Sequence, residues 1–236
     1  MIAEEGMGTK TPLVFIDSNF IYFLQNQDLG IDIFGDIERY FGTPIVTGKI
    51  LNEIEEQGTI KGIYLEEAKE QNKKWRGIIS KLNESPSNNY NELREKNSVF
   101  LAKAFNCFHP GIYKKGEMEF IVAAKTLQHF EQESIIISED EHILFYSELL
   151  LSYFGFCLRV FSIFELLTYI DSLKYTKFLE AYTNYRNLRT YGANLDLIKN
   201  CNFKKDVIEC MGYGFISTHP YNVDTNLFKK MYPKKR

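Results

Sequence analysis

Short apolar runs rich in β-branched residues alternate with helical segments in the first 170 residues of this chain. The runs lie at residues 13–16, 44–46, 134–138 and 158–161, and a stretch with helical hydrophobic spacing follows each of them. Continuous apolar runs of this length are typical of strands that are buried on both faces. Their alternation with helices predicts an α/β fold in which helices flank a parallel sheet.

Two further segments complete the predicted organisation. Residues 59–105 are rich in charge, and their apolar residues recur at helical spacing, with a break at residues 83–89. This pattern predicts an insertion of two or more helices at about residues 59–113. After the second apolar run, Thr47 and Gly58 are typical first and last residues around a helix. From residue 171 no strand alternation is visible, so residues 1–170 form one predicted domain and 171–236 a mostly helical, Tyr-rich C-terminal extension.

Charge is distributed unevenly between these two parts. The net charge is −3, yet residues 171–236 hold 12 Lys and Arg against 6 Asp and Glu, and residues 1–170 hold 16 against 25. A nuclease can use such a division, with an acidic metal site in one part and a phosphate-attracting surface in the other. A basic, solvated tail explains the C-terminal charge equally well.

Several function classes find no support in the sequence. The chain has no Gly-x-Ser-x-Gly turn, no phosphate-binding Gly-x-x-x-x-Gly-Lys loop and no dinucleotide fingerprint, and its four histidines lack metal-ligand spacing. Its four cysteines show no Cys-x-x-Cys spacing, and its first ten residues lack the basic and apolar regions of a signal peptide, so we expect no secretory leader. No apolar run reaches the roughly 20 residues of a membrane span. We therefore expect a soluble, cytoplasmic protein with reduced thiols that does not bind membranes.

Four acidic residues stand where a predicted strand ends or a predicted helix begins. They are Asp17, Glu53, Glu117 and Asp140. Residues just beyond the carboxyl ends of parallel strands meet in one crevice, so these distant segments can bring their carboxylates together. Crowded carboxylates resist ionisation unless a hard divalent cation takes their oxygens as ligands. The pattern therefore predicts a site for Mg²⁺ or Mn²⁺.

The four acidic settings together resemble the PIN-domain superfamily of metal-dependent nucleases. Residues 15–19 read Phe-Ile-Asp-Ser-Asn, and residues 46–54 place Glu53 in the spacing that the family uses after its second strand. Glu117 opens a helix in which Ala124 follows seven positions later, and residues 138–140 read Ser-Glu-Asp. The order agrees across residues 13–170, whereas the extension after residue 171 matches no part of the family pattern.

The resemblance implies specific roles for these residues. Asp17, Glu53, Glu117 and Asp140 are the expected catalytic residues, and all of them except Glu53 are expected metal ligands. Asn19, Glu119 and Ser138 are expected in supporting roles. Basic residues near the acids or in the extension are expected to contact nucleic acid, namely Lys49, Lys114, Lys115, Arg186 and Arg189.

Each acidic residue also has an ordinary structural explanation. Asp17 can cap the helix after it through a backbone amide. Glu117 and Glu119 both stand in the first turn of a helix, where the helix dipole favours negative charge. Glu53 has acidic neighbours at 55 and 56, as Asp140 has at 139 and 141, and surface carboxylates are common on helices. The Tyr-rich segment near the two arginines of the extension could stack unpaired bases, but its helical spacing favours core packing.

The predicted function is that of a metal-dependent endoribonuclease, in RNA processing or as a toxin or defence effector with an inhibitory protein partner. One ion would activate water for in-line attack on phosphorus, and a second would stabilise the departing 3′ oxygen. Two alternatives remain. One is a catalytically silent PIN-like module that binds RNA or protein, because Glu117 stands where Asp is more usual. The other is a DNA-directed, structure-specific nuclease that uses the helical insertion as a clamp.

Overall fold

A computed structural model describes residues 11–84, 89–106, 116–138, 143, 150, 156 and 158–174 of the chain. For residues 103–106, 116, 117, 164 and 172–174 it describes the backbone alone. Apart from residues 143 and 150, the helix predicted after residue 140 lies outside these residues, as does nearly all of the C-terminal extension. Among the described helices, none combines the length and the apolar character that a membrane span requires.

Four parallel strands form the central sheet. They are β1 (Leu13–Ile16), β2 (Thr43–Ile45), β3 (Ser134–Ile137) and β4 (Arg159–Phe161), in the order β2-β1-β3-β4. Leu13, the first residue of β1, pairs with the first residue of each neighbouring strand, Thr43 of β2 and Ser134 of β3. The three strands therefore begin at the same level of the sheet. All four residues of β1 are buried, because this strand has a neighbour on each side and helices around it. The predicted α/β class and parallel sheet are confirmed.

Seven α-helices accompany the sheet in the described part of the chain. Those between β1 and β2 are α1 (Ser18–Gln27) and α2 (Asp32–Tyr40). Those between β2 and β3 are α3 (Gly48–Gln57), α4 (Ile63–Leu82), α5 (Tyr90–Asn106) and α6 (Gly116–Leu127), which ends in a 3₁₀ turn at Gln128–Phe130. The last, α7 (Ile163–Lys174), follows β4 and continues past the domain boundary predicted after residue 170.

The two residues predicted to flank α3, Thr47 and Gly58, differ in whether they adopt the predicted capping geometry. Gly58 ends the helix with φ 62°, a left-handed conformation that glycine adopts at little cost, as its position predicts. Thr47 stands at the N-cap, yet its hydroxyl makes no capping hydrogen bond. That hydroxyl is buried and has no hydrogen-bond partner among the described residues. The predicted side-chain cap at Thr47 is therefore wrong, although the start of the helix is right.

Helices α4 and α5 pack into the core of the domain. Trp75 of α4 lies edge-on to Phe15 of β1, with ring centroids 5.3 Å apart, and edge-on to Tyr90 of α5 at 5.7 Å. The Asn72 side-chain amide donates a hydrogen bond of 2.9 Å to the Val46 carbonyl oxygen, just after β2. The helical insertion is thus tied to the sheet by aromatic packing and by a buried hydrogen bond.

The strand order places a crevice at the carboxyl ends of β1 and β3. From β1 the chain moves to β2 on one side, and it then crosses to β3 on the other side of β1. In open parallel sheets, ligands bind where the strand order reverses in this way. Asp17 follows β1 and Ser138 follows β3 at this point.

Candidate active site

Asp17 occupies the carboxyl end of the central strand without serving as a helix cap. Its backbone is extended at the N-cap of α1, its N–H donates to the Ile137 carbonyl oxygen at 3.2 Å, and the residue is 3% exposed. Its side chain makes no capping hydrogen bond to α1. The structural alternative for Asp17, a cap through a backbone amide, is therefore wrong, and the carboxylate faces other side chains.

Three side chains in the described part of the chain lie within hydrogen-bond distance of the Asp17 carboxylate. The Ser138 hydroxyl donates to Oδ2 at 2.6 Å, and the Asn19 amide lies 3.4 Å from the same oxygen. The Ser18 hydroxyl lies 3.3 Å from Oδ1. A length of 2.6 Å falls in the range of charge-assisted O–H···O⁻ bonds. The structure thus brings two predicted supporting residues, Asn19 and Ser138, into contact with Asp17 and orients its carboxylate.

Ser18 joins Asp17 to Glu53. Its Oγ lies 3.1 Å from Glu53 Oε1 as well as 3.3 Å from Asp17 Oδ1, so the two carboxylates are separated by no more than one hydroxyl. Ser18 is 3% exposed, whereas Glu53 is half-buried. A hydroxyl has one proton and donates to one of these acceptors at a time. The pair therefore concentrates acceptor oxygens and negative charge at the carboxyl end of β1.

Helices α1 and α3 hold Glu53 through a second contact one turn further along. Gln57 Nε2 donates to Glu53 Oε1 at 3.3 Å, and the Tyr22 hydroxyl donates to Gln57 Oε1. Ser18 and Tyr22 are four residues apart on α1, as Glu53 and Gln57 are on α3, so each pair lies on one helix face. Glu53 faces α1 in this arrangement, whereas the acidic residues at 55 and 56 are exposed.

Glu119 links the N-terminus of α3 to helix α5. Its Oε2 accepts the backbone N–H of Lys49 at 3.2 Å, and its Oε1 lies 3.4 Å from Nη2 of Arg94. The Glu119 side chain is 11% exposed and the Arg94 side chain 40%. Glu119 and Lys49, both predicted site residues, are thus neighbours at the start of α3, and Glu119 also contacts Arg94, a cation on the helical insertion.

The remaining predicted site residues fall outside the described side chains. Glu117 lies in the first turn of α6, where the backbone alone is described, and Asp140 lies outside the described residues. So do four predicted nucleic-acid contacts, Lys114, Lys115, Arg186 and Arg189. Within the described residues, no three His, Cys, Asp or Glu side chains are close enough to hold one metal ion. Those residues include the side chain of one expected metal ligand, Asp17.

Four residues that contact the predicted site residues were not predicted from the sequence, namely Ser18, Tyr22, Gln57 and Arg94. Ser18 stood inside the Asp-Ser-Asn motif, and its small hydroxyl next to Asp17 was a usable signal. Tyr22 and Gln57 are found only by placing two helices side by side, each with a four-residue spacing. Arg94 had no sequence signal, because it lies 25 positions before Glu119 on another helix.

Comparison with known proteins supplies no relative for this chain. It matches no protein-family model, no curated protein and no solved structure. A function has to be inferred from the residues and contacts described above.

Proposed function

We propose that this protein is a metal-dependent endoribonuclease. The observation that supports the proposal most directly is the Asp17–Ser18–Glu53 cluster at the point where the strand order of a parallel sheet reverses. Two carboxylates on either side of one buried hydroxyl form an acidic centre in the crevice where α/β proteins bind ligands. The resemblance of residues 13–170 to PIN-domain nucleases assigns phosphodiester hydrolysis to such a centre.

The donor atoms of the described residues are of the type that a hard divalent cation prefers, although a complete site needs ligands beyond them. Asp17, Glu53, Ser18 and Ser138 offer oxygen atoms only, and oxygen is the donor that Mg²⁺ and Mn²⁺ prefer. Carboxylates that bind metals are themselves held by hydrogen bonds, and Asp17 receives such bonds from Ser138 and Asn19. Asp17 would hold the ion, and the acids at 117 and 140 are the further ligands that we propose.

The residues of the site would orient the metal-binding carboxylate and accept a proton during hydrolysis. A bound divalent cation lowers the pKa of a water molecule and stabilises negative charge on phosphoryl oxygens. Ser138 and Asn19 keep the Asp17 carboxylate in one orientation, and Glu53 is half-buried and able to accept a proton from the attacking water. As the bond from the water oxygen to phosphorus forms, the P–O3′ bond breaks, and the leaving oxygen takes a proton from solvent water, to which Glu53 releases the proton that it accepted. The products are a 5′-phosphate and a 3′-hydroxyl.

Cleavage assays with three substrates test this function. Purified protein is incubated with Mn²⁺ and labelled single-stranded RNA, duplex RNA or flapped DNA. We expect the wild type to cleave RNA endonucleolytically. Removal of a residue that only hydrogen-bonds a metal ligand lowers activity roughly 10- to 100-fold, and Asp17→Asn, which changes a ligand itself, should lower the cleavage rate by more than that. Asp28→Asn, an exposed carboxylate at the other end of α1, removes the same charge and should cleave like the wild type.

The possible failures of this experiment have different meanings. Absence of Mn²⁺-dependent cleavage of every substrate would refute the enzyme and favour the silent binding module. Cleavage of flapped DNA alone would overturn the choice of RNA. If Asp17→Asn and Asp28→Asn cleave equally well, the activity does not come from the Asp17 site. Thermal melting of both variants shows that each one is folded before its activity is compared.

A further inference from the structure

A small pocket opens beside Glu119 at the N-terminal end of α3. It is lined by Lys49, Arg94, Ser98, Met118, Glu119 and Val122. Its cavity volume is about 20 Å³, which is room for one or two oxygen atoms. Pockets for whole small molecules measure roughly 300 Å³ or more. This pocket therefore suits a terminal oxygen of a larger ligand.

The charges at this pocket favour an anionic ligand. Its lining includes two cationic residues, Lys49 and Arg94, and one acidic residue, Glu119. The guanidinium of Arg94 has five N–H donors, and its contact with Glu119 uses the nitrogen Nη2 alone. The ammonium group of Lys49 forms no ion pair with any residue in the described part of the chain. Both cations keep donors for an oxygen of phosphate.

One contact orients Arg94 toward Glu119 in the absence of a ligand. Glu119 binds its guanidinium, and Tyr90, one turn earlier on α5, is fully buried against Trp75. Burial raises the pKa of Tyr90 above its ordinary value, Arg94 opposes this shift and Glu119 adds to it, so the phenol lies within the field of this ion pair. A side chain that is already ordered loses little conformational entropy on binding.

The pocket lies close to the proposed catalytic carboxylates. Lys49 and Glu53 are four residues apart on α3, which corresponds to a rise of about 6 Å along one helix face. Glu53 reaches Asp17 through Ser18, whereas Lys49 borders the pocket. A polynucleotide backbone that passes the carboxylates can therefore place a neighbouring phosphate at the pocket.

We propose that Arg94 and Lys49 form a binding site for a phosphodiester group of single-stranded RNA, next to the bond that is cut. The identity of this ligand rests on the proposed function. The site would bind the backbone and not read the sequence, because contacts to phosphate oxygens carry no sequence information. Helix α5 of the insertion thus acquires a role in substrate binding through Arg94.

Binding of a fluorescein-labelled oligouridylate in EDTA, followed by fluorescence anisotropy across a range of KCl concentrations, tests the site without cleavage. We expect Arg94→Gln to weaken binding about tenfold, the loss of one charge-assisted contact. The slope of log K against log salt should fall by about 0.7 for one lost phosphate contact on a single strand. Lys96→Gln removes one positive charge from an exposed position on the same helix and should leave both quantities unchanged.

A double variant separates ligand binding from simple neutralisation of Glu119. If Arg94 only balances the carboxylate, Arg94→Gln combined with Glu119→Gln should bind RNA like the wild type, and that result would overturn the proposal. Continued weak binding by the double variant supports it. Thermal melting of each variant checks that it is folded.

The proposed phosphate-binding site and the proposed nuclease activity can be refuted independently. Wild-type protein that cleaves RNA while Arg94→Gln binds normally would refute the phosphate site and leave the enzyme intact. An Arg94-dependent affinity for RNA in a protein that cleaves nothing would retain the site and refute the enzyme. Failure of the wild type to bind the oligonucleotide at all would overturn the site.

Discussion

Replacing Ser138 by alanine should destabilise the protein through the loss of one short hydrogen bond. The Ser138 hydroxyl lies 2.6 Å from Asp17 Oδ2, both residues are at least 97% buried, and the bond joins β3 to β1 at their carboxyl ends. A hydrogen bond to a charged group contributes about 1.5–3 kcal/mol to stability. We therefore expect Ser138→Ala to lower the free energy of unfolding by about 2 kcal/mol, or Tm by roughly 4–8 °C for a domain of this size.

Urea denaturation at pH 7 measures this loss as a shift of the midpoint at constant m value. Ser18→Ala removes a buried hydroxyl with longer contacts, 3.3 Å to Asp17 and 3.1 Å to Glu53, and should cost about 1 kcal/mol. Ser80→Ala, at an exposed position in α4, should stay within about 0.5 kcal/mol of the wild type. The order Ser138, Ser18, Ser80 follows the burial and the lengths of the contacts.

The charge of Asp17 can be tested in the same series. Charge-assisted hydrogen bonds are about twice as strong as neutral ones, so Ser138→Ala should cost about half as much in an Asp17→Asn background. An equal cost in both backgrounds would show that the negative charge of Asp17 does not contribute to the bond. A loss below about 0.5 kcal/mol for Ser138→Ala alone would refute the bond as a stabilising contact.

The remaining predictions compare two residues of the same type in different surroundings, two tyrosines and two glycines, by the change in stability on substitution. Tyr90→Phe should leave stability unchanged or raise it by about 1 kcal/mol, because its buried hydroxyl has no hydrogen-bond partner in the described part of the chain. Tyr22→Phe should lower stability by about 1 kcal/mol, since that hydroxyl donates to a glutamine of α3. Gly42→Ala should cost more than about 2 kcal/mol, because φ is +138° and the added Cβ would lie 2.1 Å from the Pro12 carbonyl oxygen. Gly30→Ala, at φ +76° with open space around the Cβ, should cost only about 1 kcal/mol. Urea midpoints measure all four, and a reversed order within either pair would contradict the structure.

Local patterns predicted most of the described elements. Uninterrupted apolar runs marked the strands because both faces of this sheet are covered, and the helical insertion separated into α4 and α5 at the predicted break. Helix α2 was missed. It is nine residues long, and Gly35 interrupts a helix whose buried side includes Ile33 and Ile37. A glycine in a short helix weakens the periodic signal, and tertiary packing then decides that the segment is helical.

Site residues were predictable where they stand at the end of a strand. Asp17 and Ser138 follow β1 and β3, and parallel strands bring such positions to one edge of the sheet whatever their separation in the chain. The contact between Glu119 and Arg94 was not predictable in this way. It depends on how α5 packs beside α6, and the spacing of charges along one helix carries no information about its neighbour.

The amino-acid sequence alone determined the alternation of strands and helices, the residues at the strand ends and the acidic character of the predicted site, because each depends on residues near one another in the chain. Tertiary structure alone decided the strand order β2-β1-β3-β4, the link from Asp17 to Glu53 through Ser18, and the pairing of Arg94 with Glu119. Those features depend on which elements become neighbours. Neighbours are selected by the burial of whole faces and by hydrogen bonding between distant segments, and neither quantity is local.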